Sequence, residues 1–162
     1  MAPNRMSRSL AVLERLPPAL RTRLRSLALG RVVPLVGTAG LVVEHLDERR
    51  AVVSVPNRRR VRNHIGGVHA AAMALVAETA TGFVVGMNVP DDRVPVIKIL
   101  RVDFRRRARG ALRAEATLGE EQRQLIRSTE KGETRVPVKV TDAEGNEPIE
   151  CEMIWAWTPR RR

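Results

Sequence analysis

At 162 residues with 43% apolar side chains, the chain has the size of one ordinary domain and enough apolar material for a full core. Aromatic residues make up only 2% and tyrosine is absent, so that core is expected to be built from Val, Leu, Ile, Ala and Met. The single cysteine, Cys151, excludes a disulfide framework and a cysteine-based zinc site, and a reducing cytoplasm is the compartment that fits. A formal charge of +11, nearly all of it arginine, describes a surface that attracts polyanions.

The opening Met-Ala-Pro-Asn-Arg-Met-Ser-Arg carries charges and no apolar run, so no signal peptide is expected. From Met6 to Leu29, leucines recur at helical spacing (Leu10, Leu13, Leu16, Leu20, Leu24, Leu27) with arginines on the other face. Pro17-Pro18 interrupts the pattern, which predicts two short amphipathic helices or one kinked one, ended by Gly30. Pro34 to Leu46 reads as a strand, Asp47-Glu48 as a turn and Arg50 to Val55 as the partner strand. A basic loop, Asn57 to Arg62, leads into Asn63-His64-Ile65-Gly66-Gly67.

Val68 to Met87 reads as a helix, apolar on most sides and therefore buried. The stretch Ala70 to Val89 is long enough to span a bilayer. It is weakly apolar, however, and a mid-membrane acid such as Glu78 costs roughly 2.5–3.5 kcal/mol, so a core helix is expected and no membrane insertion. Val94 to Arg106 reads as a long strand and Ala111 to Leu118 as its return. Glu120 to Lys131 reads as a surface helix ended by Gly132. Thr134 to Thr141 and Ile149 to Thr158 read as a last hairpin around Asp142-Ala143-Glu144-Gly145-Asn146.

One long apolar helix among these strands predicts an α+β fold, with an antiparallel sheet of about five to six strands wrapped around the helix and an extra helix at the N-terminus. The expected division is an N-terminal helical segment over 1–30 packed on the domain, the domain itself over 31–159, and a basic tail over 160–162.

Glu78 is the only ionisable side chain between His69 and Asp91. A lone carboxylate on an apolar helix is costly unless paired, hydrogen-bonded or protonated, and an arginine from a neighbouring strand or subunit is the plain structural explanation. Gly66-Gly67-Val68-His69 opens the helix, gathering free N–H groups and the positive dipole end where an oxyanion would be stabilised. Asn63 precedes it with an amide able to donate and accept. Ala70 and Glu78 lie eight residues apart, roughly 12 Å along a helix axis, so they cannot both reach one carbonyl carbon. If both act, they belong to different chains across a two-fold axis.

The run Asn63-His64-Ile65-Gly66-Gly67-Val68-His69-Ala70-Ala71, followed by Glu78, resembles the hotdog-fold acyl-CoA thioesterases. The likeness is to the PaaI-like branch, with an Asn, a His-Gly-Gly at a helix start and an acid two turns on. Val102 to Gly110 and Asp142-Ala143-Glu144-Gly145 resemble its later strand and last turn, so that the likeness covers Leu35 to Pro159. The insertion Glu120 to Gly132 is similar to that of a subgroup of bacterial hotdog proteins with no assigned activity. The resemblance implies Glu78 as general base or nucleophile, the Ala70 N–H as donor to the thioester oxygen, and Asn63 orienting water or substrate at a homodimer interface, with a dimer of dimers left open. His69-Ala70-Ala71 stands where the family has His-Gly-Gly, and Glu78 where Asp is common.

His69 is a candidate for contact with substrate, against the plainer reading of a helix cap. Gly66 and Gly67 would let substrate approach the loop. Arg60 and Arg62, with Arg107 and Arg109 from the second basic run, are candidates for the phosphates of coenzyme A, which enters as part of the substrate and not as a cofactor. Three scattered histidines make no metal site. The expected activity is hydrolysis of an acyl thioester. The alternatives are a non-catalytic acyl-CoA binder and, disfavoured by the lack of base-stacking aromatics, a nucleic-acid-associated protein.

Overall fold

In the computed structural model the described residues are 3–160, so Met1, Ala2 and the Arg161–Arg162 end of the expected basic tail lie outside them. Asn4 opens the first helix, α1 (Arg5–Ala11), its side-chain oxygen accepting the Ser7 N–H at 2.9 Å. A 3-10 turn over Val12–Arg15 follows, and Pro18 takes the first position of α2 (Pro18–Val32), where a missing N–H costs nothing. The proline pair thus separates two helices, one of the two outcomes expected.

The orientation of α2 departs from the amphipathic reading. Leu29 and Arg25 turn inward, while Leu20 and Leu27 remain 44% and 48% exposed. Arg25 is tolerated because it donates to the Glu44 carbonyl at 3.2 Å and pairs with Glu14 at 3.0 Å.

Gly30 does not end α2, and the segment expected as one strand from Pro34 begins instead as a helix, α3 (Pro34–Ala39). The cause is close packing of two glycines: a Cβ on Gly30 would lie 2.9 Å from the Gly37 Cα, and one on Gly37 2.8 Å from the Gly30 oxygen. Gly40, at φ +69°, closes α3 in the left-handed conformation. Only then do β1 (Val42–Leu46) and β2 (Arg50–Val55) form the expected hairpin, with Asp47 accepting the Arg49 and Arg50 N–H groups.

The long helix α4 (Ala70–Gly86) is followed by β3 (Arg93–Phe104), β4 (Leu112–Thr117), α5 (Glu120–Ser128), β5 (Gly132–Arg135), β6 (Val138–Asp142) and β7 (Ile149–Pro159). Two antiparallel layers result, ordered β1-β2-β4-β6 and β3-β7-β5. The strand expected over Thr134–Thr141 is therefore two strands in different layers, and the last hairpin is not formed as expected. The Val136 N–H still bonds the Met153 carbonyl at 2.8 Å, but the Pro137 carbonyl accepts from Thr117 at 3.2 Å. Proline offers no N–H to continue the β7 ladder, so the chain crosses to β4 at that point.

Both layers pack their inner faces on α4. Val53 and Val55 from β2, Ala114 and Ala116 from β4, and Met153 and Trp155 from β7 meet Val76, Ala80 and Val84 in one buried cluster. The α+β class, with antiparallel strands around one buried helix, is as the sequence predicted, but the strands form two sheets of four and three and not one of about five to six. Asn4 fixes the end of α4 by donating to the Gly86 and Val89 carbonyls, both at 2.7 Å.

Candidate active site

The loop before α4 is built by Asn63. Its Oδ1 accepts the N–H groups of Ile65 at 3.1 Å and Gly67 at 3.0 Å, and its backbone N–H bonds the Gly67 carbonyl at 2.9 Å. Aspartate and asparagine commonly organise turns this way. The acceptor half of the amide is thereby used within the loop, and only its NH2 group, 3.5 Å from the Val68 carbonyl, has capacity left for another acceptor. Gly66 sits at φ +81° at the tip. Gly67 faces the second basic run: a Cβ there would lie 3.8 Å from the Ala108 oxygen.

His69 is the N-cap of α4. Its Nδ1 accepts the Ala71 N–H at 3.1 Å, and its own N–H bonds the Val61 carbonyl at 2.8 Å. The plainer of the two readings, a cap, is therefore the role its Nδ1 fills. Among the described residues the Ala70 N–H meets no protein acceptor, and it lies on the exposed first turn of the helix beside the positive dipole end.

Glu78 lies two turns further along α4, half-buried and without an ion-pair partner among the described residues. The arginine expected under the plain structural explanation is not found among the described residues. Burial pushes its carboxyl above the usual carboxylate range, with the Thr79 hydroxyl opposing weakly. Ala71, Ala74, Leu75, Glu78 and Gly82 form the one stripe of α4 that the chain's own strands leave partly open. The helix spacing keeps Glu78 about 12 Å from the Ala70 N–H of the same chain.

The four arginines singled out separate into two kinds. Arg62 is tied to Asn57 by bonds of 3.0 Å to its side chain and carbonyl, and Arg109 pairs with Glu144 at 3.2 Å. Arg60 makes one long contact, 3.4 Å, to the Thr38 carbonyl, and Arg107 is exposed with no ion pair among the described residues. Arg58 and Arg59, equally exposed in the same run, were not distinguished by sequence position alone. Sequence reasoning also missed the support behind Glu78. Trp155 donates its Nε1–H to the Thr81 hydroxyl at 2.9 Å and lays its ring against Gly82, where a Cβ would come within 2.7 Å. A glycine amid a helix facing a tryptophan strand was the available signal.

Among the described residues no group of three or more His, Cys, Asp or Glu is placed to hold a metal ion. No helix among them is long and apolar enough to cross a membrane.

A family model described as "Domain of unknown function (DUF4442)" matches residues 21–157. No curated protein matches the chain. Among solved structures, one from Pseudomonas aeruginosa, described as a protein of unknown function and "Probable Thioesterase", is 25% identical with a TM-score of 0.76 over 90% of this chain and 97% of that one. A thioesterase from Haemophilus influenzae is 15% identical, with a TM-score of 0.61 over 77% of this chain and 82% of that one. A thioesterase variant from Pseudomonas aeruginosa is 17% identical, with a TM-score of 0.64 over 84% and 93%. At these last two identities the likeness is one of fold.

Proposed function

The chain belongs to the family described as "Domain of unknown function (DUF4442)" and has the hotdog fold of the thioesterase superfamily, and on that premise we propose that it hydrolyses an acyl-CoA or related acyl thioester as a homodimer. The observation that carries the reading is Glu78: a half-buried carboxylate, raised in pKa, without an ion-pair partner among the described residues, and set on the one stripe of α4 left open. Burial of such a group with no ion-pair partner among the described residues supports a chemical role for it. A raised pKa also suits a general base, since proton transfer is most efficient when the base titrates nearer the working pH.

In the proposed reaction the Glu78 carboxylate takes a proton from water as the oxygen attacks the thioester carbonyl carbon. The carbonyl oxygen becomes an oxyanion held by the N–H of the partner subunit's Ala70 at the positive end of its α4. Collapse of the tetrahedral intermediate breaks the C–S bond, and the proton on Glu78 passes to the leaving thiolate. The products are a carboxylic acid and the free thiol, with one water consumed. Asn63, its carbonyl already bonded in its own loop, contributes its NH2 group as a donor. Arg107 and Arg60, with Arg58 and Arg59 beside them, provide guanidinium groups for the carrier's phosphates, while Arg62 and Arg109 hold the two loops in shape. The PaaI-like branch is the part of the superfamily that this residue pattern supports.

The test is steady-state hydrolysis of an acyl-CoA panel of varied chain length by the wild-type protein and Glu78→Gln. Turnover that disappears in Glu78→Gln while the sedimentation mass is unchanged supports the reading. Wild-type protein that binds an acyl-CoA tightly and releases no thiol sinks the catalytic assignment in favour of a binder.

A further inference from the structure

The outward face of α2 is unusual. Leu20, Leu24, Leu27 and Arg31, spaced four, three and four residues apart, lie along one line of the helix, with Arg23 beside it. Leu20 and Leu27 are exposed, as are Val32 and Leu35 where α2 passes into α3, at 77% and 60%. From Arg15 to Val43 the chain carries five arginines and no acid. Of these Arg21 and Arg25 are engaged by Glu14, whereas Arg15, Arg23 and Arg31 are exposed and make no ion pair among the described residues. The Arg60 guanidinium, 3.4 Å from the Thr38 carbonyl, carries the positive surface on from α3 to the Arg58–Arg60 run.

We propose that this face, formed by α2 and α3, docks the protein on an anionic lipid surface. An apolar stripe flanked by arginines, on two helices that themselves carry no acid, matches the two halves of a bilayer interface: leucines and valines enter the acyl boundary while guanidinium groups meet lipid phosphates. The face is too short and too charged to span, which agrees with a peripheral contact. A second copy of this chain is the weaker occupant. A two-fold contact would set Arg23 and Arg31 against the same residues with no acid between them, and like charges facing across an interface are repulsive. A nucleic acid would use the arginines but leave the leucines in water. The proposal does not depend on the hydrolytic reading of the Glu78 site.

Co-sedimentation of the full chain with phosphatidylserine–phosphatidylcholine vesicles, and with phosphatidylcholine alone, tests it. Wild-type protein is expected to partition onto the anionic vesicles only, more weakly as salt rises. Arg23→Glu/Arg31→Glu and Leu20→Ser/Leu27→Ser should each lower partitioning by more than about tenfold, with circular dichroism and hydrolysis of a short, soluble acyl-CoA unchanged. Lys131→Glu/Arg135→Glu, which makes the same change in net charge at the two ends of β5, should retain binding. The proposal is overturned if the β5 variant loses as much as the α2 variants, since attraction then follows net charge alone. It is equally overturned if the leucine variant binds vesicles normally, if it instead changes the sedimentation mass of the free protein, or if the α2 variants lose RNA binding and not vesicle binding.

Discussion

Glu78 illustrates how a single side chain can lower stability in return for reactivity. Its folded-state pKa is raised by burial, so the folded protein holds that proton more tightly than the unfolded chain does. Its contribution is therefore most favourable below the unfolded value of 4.5 and diminishes as pH rises through the folded value. Glu78→Gln, which can never ionise, should raise the midpoint of urea unfolding at pH 7, and the gain should vanish near pH 4. A destabilised variant at pH 7 would mean that the carboxylate has a stabilising partner. Cys151 is the contrasting case. Burial, reinforced by the nearby Asp103 and Glu150 carboxylates, pushes its thiol up to about 11, which leaves almost no thiolate at neutral pH. It should resist iodoacetamide at pH 8 in the folded protein and react at the rate of a free thiol in denaturant, as followed by mass spectrometry.

At the scale of elements, one aromatic contact fixes how closely α4 approaches β7. An alanine at Gly82 would gain up to about 1 kcal/mol in helix propensity. Its methyl, however, would arrive 2.7 Å from the Trp155 ring, which cannot swing aside without breaking its 2.9 Å bond to Thr81. Overpacking of this kind costs about 1–3 kcal/mol, so the net outcome of Gly82→Ala is a lower urea midpoint with altered tryptophan fluorescence. The same contact indicates which elements could be read from the sequence. α4 was legible because twenty consecutive positions contain one charge, β3 because Val94 to Phe104 is a run rich in Val and Ile, and β7 because Ile149, Cys151, Met153, Trp155 and Trp157 fall at every second position. α3 was not, since Pro34-Leu35-Val36-Gly37 has strand-like composition and becomes helical only where Gly37 meets Gly30 from another helix. Nor was the division of β5 from β6, because Pro137 breaks a ladder whose partner strand lies elsewhere in the chain. The site divides in the same way. The positions of Glu78, Ala70 and the His69 cap followed from spacing along one helix, whereas the pairing of Arg109 with Glu144, 35 residues on, is tertiary and left no local trace.

For the molecule as a whole, β3 is the decisive edge. It pairs with β7 on one side only, runs for 12 residues, and leaves Val96, Ile99, Leu100 and Phe104 between 39% and 54% exposed. An edge of that length and apolarity is seldom left uncovered, and it packs against α4, the helix that carries Glu78. The wild-type protein should therefore sediment at about twice its 18.1 kDa chain mass, and Leu100→Glu should sediment as a monomer with its helical content intact. The composite site can be tested more sharply by mixing variants. Ala70→Pro removes the N–H that would hold the oxyanion yet suits the first position of a helix, and His69 before it already has the extended backbone, φ −64° and ψ 143°, that a following proline requires. Glu78→Gln and Ala70→Pro should each be inactive alone. Unfolded together and refolded as an equal mixture, half the dimers would carry one of each chain, and each of those would own one complete site: Glu78 from the proline variant and the Ala70 N–H from the glutamine variant. Recovery of roughly a quarter of the wild-type rate is the expected result. A mixture as dead as its parents would mean that base and oxyanion donor do not come from different chains, and the two-chain site would have to be abandoned.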